Sequence, residues 1–300
     1  MKSPLVAGLR SVALNVTDLA LGEDFYTRTW HLGVAAREPD AIYLRGAGPE
    51  HHLLSLHLAP EISIRNVTFL ARSAESLQAI GEGAERAGGR VEQPIAAIDE
   101  PGGGTGLTIV DPDGRILRVV HGDASYADDA SRADRPQRLA HVVLNSRDVR
   151  ASQAFFEQAL GFVLADRTRI MAFMNCNRDH HSVALGDADN DCLNHIAFLM
   201  PDIDSVMRGA GRMRDAGFPI EWGPGRHGPG NNAFSYFVGP FSEVIEYTAE
   251  VEQIDDVDHV GAPEDWTWPP GRVDQWGISA PPSTRLKKAQ GAVRFMSLPA

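Results

Sequence analysis

Apolar and polar positions alternate along this chain in short runs. LRSVALNV (from residue 9), RNVTFLA (65), LAHVVLNS (139) and NHIAFLM (194) are short, β-branched-rich runs that set polar residues among apolar ones, as a strand does. Between these runs the apolar spacing lengthens to that of an amphipathic helix. Helices are expected over 18–30, 74–87, 148–160 and 204–216, and a glycine soon follows the second and the last. Each of the four units therefore reads as a strand, a helix and two or three more strands, in about 55 residues.

The units pair off as a duplication. LRSVALNVTDL (9–19) aligns with LAHVVLNSRDV (139–149), and EDFYTRTW (23–30) with QAFFEQAL (153–160). EHHLLSL (50–56) aligns with DHHSVAL (179–185), RNVTFLARSAESL (65–77) with NHIAFLMPDIDSV (194–206), and DPDGRILRVV (111–120) with GPFSEVIEYT (239–248). The offset stays near 130, and five correspondences in register argue for one architecture written twice. The expected fold class is α+β, made of duplicated paired βαβββ modules in two domains. The first pair covers residues 1–122, a polar linker 123–136, the second pair 137–252, and a Pro/Gly/Trp-rich tail 253–300.

Matched copies share packing, so their differences point to chemistry. Ser11 is matched by His141, Asn66 by His195 and Arg118 by Glu246. A lone histidine in an apolar strand is ordinarily a hydrogen-bonded core residue. Here strand alternation puts His141 with Val143 and Asn145, His195 with Ala197, and Glu246 with Val244 and Thr248, each on the face opposite large apolar neighbours. Two imidazoles and a carboxylate on one face are the ligand set of non-haem Fe(II) oxygenases. Serine, asparagine and arginine are poor company for a cation, so the first cup reads as structural, with Arg118 hydrogen-bonding inside it.

Composition narrows the class. The net charge of −12 disfavours nucleic acid, whose phosphates require clustered Lys and Arg. No apolar run is long enough for a membrane span, and the first residues do not follow signal-peptide design. Cys176 and Cys192 are too few for a disulfide framework. They read as packing residues in a cytoplasmic protein. The 155–160 helix reads as core, and Asp187, Asp189 and Asp191 as a solvated hairpin.

With these residues in hand, the sequence resembles the type I extradiol dioxygenases of the vicinal oxygen chelate superfamily, the catechol 2,3-dioxygenase and dihydroxybiphenyl dioxygenase kind. The resemblance covers roughly residues 6–250 and is most specific over 137–250. It implies ring cleavage of a catechol with O2 at an Fe(II) or Mn(II) centre. His141, His195 (in LNHIAF) and Glu246 (in PFSEVIEY) match the metal ligands. His181 (in NRDHHSVAL) matches the acid–base histidine, His227 (in GRHGPGNN) a pocket histidine and Tyr236 (in FSYFVGP) the pocket tyrosine. Ser242 stands where the family usually has glycine. A homo-oligomer is implied as well.

Some positions have plainer readings. His181 has a plainer reading as a strand-end residue, because EHHLLSL has the same histidine pair without a metal, and His180 reads as structural or solvent-facing. Val143, Phe173 and Trp222 are expected to line the pocket. The tail, with Trp266, Trp268, Arg272 and Trp276, reads as a lid in which Arg272 meets a polar ring substituent, or else as a subunit contact. The rival functions are a glyoxalase-like isomerase, a thiol transferase, and a non-enzymatic small-molecule-binding protein of the same fold.

Overall fold

The structure is a computed structural model and describes residues 4–127, 134–254 and 260–298. The first half contains β1 (Val6–Val16), α1 (Leu19–Asp24), β2 (Gly33–Glu38), β3 (Ala41–Arg45), β4 (Leu54–Leu58), β5 (Ser63–Ala71), α2 (Ala74–Arg86), β6 (Arg90–Ala97), β7 (Thr105–Val110) and β8 (Ile116–His121). The second contains β9 (Arg138–Ser146), α3 (Val149–Phe155), β10 (Val163–Arg167), β11 (Met171–Asn175), β12 (Val183–Asp187), β13 (Leu193–Leu199), α4 (Ile203–Asp215), β14 (Trp222–Arg226), β15 (Ala233–Val238) and β16 (Val244–Ala249).

Each half forms one eight-stranded sheet. The strand order is β2-β3-β4-β1-β5-β8-β7-β6 in the first and β10-β11-β12-β9-β13-β16-β15-β14 in the second, the same order shifted by eight. Two βαβββ modules build each sheet, joined where β1 meets β5 and β9 meets β13 antiparallel. This is the expected duplicated α+β fold.

The four helices start where their capping residues put them. Asp18, Ser73, Asp148 and Asp202 each accept a hydrogen bond from a backbone N–H of the first turn. Gly88 (φ 86°) and Gly217 (φ 87°) follow α2 and α4 in the left-handed conformation that ends helices cheaply. The run expected as one helix over 18–30 is in fact α1 followed by a π-helical turn, Phe25–Thr29; α3 likewise ends in a π-helical turn, Phe156–Leu160. Periodicity could not register these turns, because a single inserted residue shifts the apolar face by only a fraction of a turn.

One apolar core runs through both halves. Trp30, from the end of the first module, stacks on Tyr247 of β16 with ring centroids 3.6 Å apart. Phe156, in the second half, meets Phe69 of β5 edge-on. Of the expected linker 123–136, residues 128–133 lie outside the described residues. Its flanks are tied down: the Tyr126 N–H donates to the Pro49 carbonyl at 2.8 Å, and Asp134 pairs with Arg212 and His31.

The tail was expected only as a Pro/Gly/Trp-rich segment. It nevertheless forms α5 (Thr284–Ala289), which seats Leu286 and Ala289 against Phe234, Tyr236, Val238 and Val244 on the concave face of the second sheet. Six residues with two buried positions are too short a pattern to stand out in sequence. No helix among the described residues is long and apolar enough to cross a membrane.

Candidate metal centre

Strand register assembles the centre. Ala197 on β13 is the partner of His141 on β9 and, on its other side, of Glu246 on β16. Register partners point to the same face of a sheet, and so does His195, two positions before Ala197. The side chains of His141, His195 and Glu246 converge on this face.

His141 Nε2 lies 3.3 Å from Glu246 Oε2, His195 Nε2 lies 3.2 Å from it, and the two histidine nitrogens are 3.3 Å apart. Ligands bonded to one ion at about 2.1 Å, with right angles between them, stand about 3.0 Å apart. The Glu246 carboxylate is fully buried, yet Oε2 has no hydrogen-bond partner. An orphaned carboxylate oxygen facing two imidazole nitrogens fits a divalent cation, which would satisfy all three lone pairs at once. Among the described residues, this is the one group of three such side chains close enough to share an ion.

The electrostatics suit the same occupant. Burial pushes His195 down to about 4, so its ring is neutral at pH 7 with a lone pair to give. Burial alone would raise Glu246, but the close approach of the His141, His195 and His227 rings holds it well below the usual carboxylate range. His195 Nδ1–H donates to Asn194 Oδ1 at 2.9 Å, which fixes Nε2 as the inward nitrogen. Asn194 Oδ1 also accepts from Gln290, just after α5, at 2.9 Å.

The other expected site residues gather around this cluster. The ring of His181 lies 4.3 Å from that of His141, and burial keeps it neutral, its basicity well below the ordinary histidine value. His227 Nε2 is 2.9 Å from the Tyr236 hydroxyl, which also reaches His195 Nε2 at 3.5 Å. Burial, and then the charge of Glu246, push the Tyr236 phenol well above its usual value, so it stays protonated and can donate. Asn232 donates to Glu246 Oε1 at 3.5 Å and to Thr248 Oγ1 at 2.7 Å.

These groups open on a cavity of about 610 Å³. Val143, Phe173 and Trp222 line it, as expected, and so do the tail residues Trp266, Trp268 and Gln290. Arg272 does not. Its guanidinium donates to the carbonyls of Asp274 and Gln275 and stands over the Trp268 ring, so it meets tail backbone rather than the cavity. His180 is not solvent-facing. It is buried and pairs with Asp166 Oδ2 at 3.3 Å.

Sequence reasoning missed Asp166, Asn194, Asn232 and Gln290. Each is polar and buried or half-buried beside the site. A line-by-line comparison of the two halves would have flagged Asp166, because the first half has Ala36 there. In the first cup, Arg118 donates to Glu100 at 2.7 Å, and Arg10 donates to Ser11 and pairs with Asp123. The free cysteines Cys176 and Cys192 are buried, and burial pushes the Cys176 thiol up to about 12.

Residues 138–247 match the Glyoxalase/Bleomycin resistance protein/Dioxygenase superfamily. Metapyrocatechase 2 of Cupriavidus necator is 29% identical over 227 residues, spanning 64% of this chain and 68% of the relative. The Mn(II)-bound glyoxalase from Novosphingobium aromaticivorans is 33% identical, with a TM-score of 0.84 over 99% of this chain and 96% of that one. The substrate complex of homoprotocatechuate 2,3-dioxygenase from Brevibacterium fuscum, 24% identical, shares the fold with a TM-score of 0.85 over 95% of this chain and 92% of its own.

Proposed function

This chain belongs to the Glyoxalase/Bleomycin resistance protein/Dioxygenase superfamily, and from that premise we propose that it is an extradiol dioxygenase, cleaving a catechol-type ring with O2. The carbon–carbon bond beside the diol breaks, and both oxygen atoms enter the hydroxymuconic semialdehyde product. The observation that carries this reading is the convergence of His141, His195 and Glu246 on one point, with His181, His227 and Tyr236 around the same cavity.

His141, His195 and Glu246 are the residues that would hold Fe(II), or Mn(II), which the same donors accept. Such an ion would bind the diol oxygens and O2 side by side and supply a path for electrons from ring to oxygen. The protein does the rest. Tyr236, protonated and tethered by His227, offers a hydrogen bond to a substrate oxygen. His181, neutral and at the cavity wall, takes a hydroxyl proton and later returns it. Phe173, Trp222 and Trp266 exclude water and flank a flat ring. Trp266, Trp268 and Gln290 bring the tail to one side of the cavity. We extend the proposal to domains 1–122 and 137–252 joined by a linker 123–136, to a tail 253–300 that serves as a lid or a subunit contact, and to assembly as a homo-oligomer.

The test is anaerobic loading with Fe(II) or Mn(II), a panel of catechols, then air. Oxygen uptake with a yellow ring-fission product is expected. The reading is rejected by a loaded protein that consumes no oxygen with any of them. The 33% identity to a glyoxalase favours a second reading, a metal-dependent isomerase. That enzyme would turn over a hemithioacetal without oxygen.

A further inference from the structure

We infer that Asp166 and His180 are positioning residues for His181, holding its proton on Nδ1 and leaving the Nε2 lone pair to the cavity. The inference deepens the dioxygenase reading and rests on it for the role of His181. All three side chains are buried. Asp166 Oδ1 accepts the Trp266 indole N–H at 2.8 Å and the Arg167 backbone N–H at 2.6 Å. Asp166 Oδ2 faces His180 Nε2 at 3.3 Å. His180 Nδ1 and His181 Nδ1 are 3.1 Å apart.

The proton positions follow by elimination. An unprotonated Nε2 would set a lone pair against the carboxylate 3.3 Å away, so the His180 proton sits on Nε2, and His180 Nδ1 is left with a lone pair. The short contact between the two Nδ1 atoms then needs its hydrogen from His181. His181 carries Nδ1–H, and its Nε2 is the basic nitrogen in a ring that lines the cavity.

The first half is a natural control. His51 and His52 repeat the contact, Nδ1 to Nδ1 at 3.0 Å. Ala36 stands where Asp166 does: each follows a bulge in its strand and pairs with the matched aromatic, Tyr43 or Phe173. There the constraint comes from the other end. Arg10 lies 2.6 Å from His52 Nε2, and a guanidinium only donates, so His52 is again protonated on Nδ1. In the second half the residue matched to Arg10 is Ala140. Loss of that arginine frees Nε2 for a substrate proton, and the added Asp166 restores the tautomer through His180. When a substrate O–H breaks and Nε2–H forms, the imidazolium is faced across one ring by a carboxylate already in place, and the proton leaves by the same nitrogen. Trp266 fastens that carboxylate, so the tail is part of the device.

The experiment is ¹⁵N NMR of histidine-labelled, Zn(II)-loaded protein, with the His181 signals assigned by their loss in His181→Gln. The wild type is expected to show a protonated Nδ1 and a bare Nε2. Asp166→Ala, which installs the first-half residue, should mix the two tautomers. It should also lower kcat about tenfold or more, with KM and Zn(II) affinity little changed. A wild-type His181 protonated on Nε2 overturns the inference, and so does an Asp166→Ala protein with unchanged tautomer and kcat. The wild-type spectrum decides even if the variant fails to fold. Absence of ring cleavage in every protein would count against the dioxygenase reading alone, since the tautomer is read without turnover.

Discussion

Ala197 lies opposite Glu246 in the register of β13 and β16 and opposite His141 in that of β13 and β9, so it shares the sheet face of the proposed ligands. It is fully buried. A larger side chain would fill the space an ion needs before it disturbed the sheet. Ala197→Leu is therefore expected to abolish Fe(II) and Mn(II) binding in a calorimetric titration. The overpacking itself should cost about 1–3 kcal/mol of stability. Retained metal affinity would show that the ligands do not converge above this residue.

Asn194 ties the centre to the tail, since its Oδ1 accepts from both His195 Nδ1 and Gln290 Nε2. Removing such an outer partner loosens the orientation of the ligand it holds. Gln290→Ala leaves one of these bonds and Asn194→Ala neither. Metal affinity should fall about tenfold or more in Asn194→Ala, and less in Gln290→Ala. Equal affinities in all three proteins would dismiss the link.

Glu243 gives the fold a pH dependence. It is fully buried at the turn before β16, where Tyr26 donates to Oε1 at 2.5 Å and the Phe241 N–H to Oε2 at 2.8 Å. Burial nevertheless pushes its carboxyl from 4.5 up to about 7. Below the lower value both folded and unfolded chains hold the proton. As pH rises from there to about 7, the unfolded chain releases it first, so stability falls by about 3 kcal/mol. Urea unfolding at intervals across this range, on wild type and Glu243→Gln, reads the effect. The variant should gain on the wild type as pH rises, and a constant difference would refute the assignment.

Trp30 joins the halves. It is fully buried, stacks on Tyr247 and meets Phe198 and Phe237 edge-on. Trp30→Ala should cost about 3–5 kcal/mol. Because the core is shared, the loss should appear as one lower melting transition by calorimetry. Two separated transitions would mean that the halves fold independently.

Ser242 sits at φ 67°, in the left-handed region, and is exposed in the turn that leads to Glu246. A Cβ is strained there, and glycine has none. Ser242→Gly is expected to raise stability by up to about 1 kcal/mol with metal affinity unchanged. A lower melting temperature would contradict it.

Periodicity and residue identity carried a good deal of this protein in one dimension. Alternation fixed which face of each strand His141, His195 and Glu246 occupy, because side chains switch sides at every residue of a strand. The internal repeat gave the duplicated modules, because two copies with one packing scheme must keep their apolar positions. It also singled out the three substitutions that distinguish the cups. Those signals are local, or they repeat at a fixed offset, so sequence alone could determine them. Tertiary structure decided what depends on distance between remote segments. It set Trp266 on Asp166 and Gln290 on Asn194, carried Trp30 across to Tyr247, and turned Arg272 away from the cavity. Such contacts have no period and no fixed spacing. They exist because the chain closes on itself, and only the packed molecule specifies which side chains then meet.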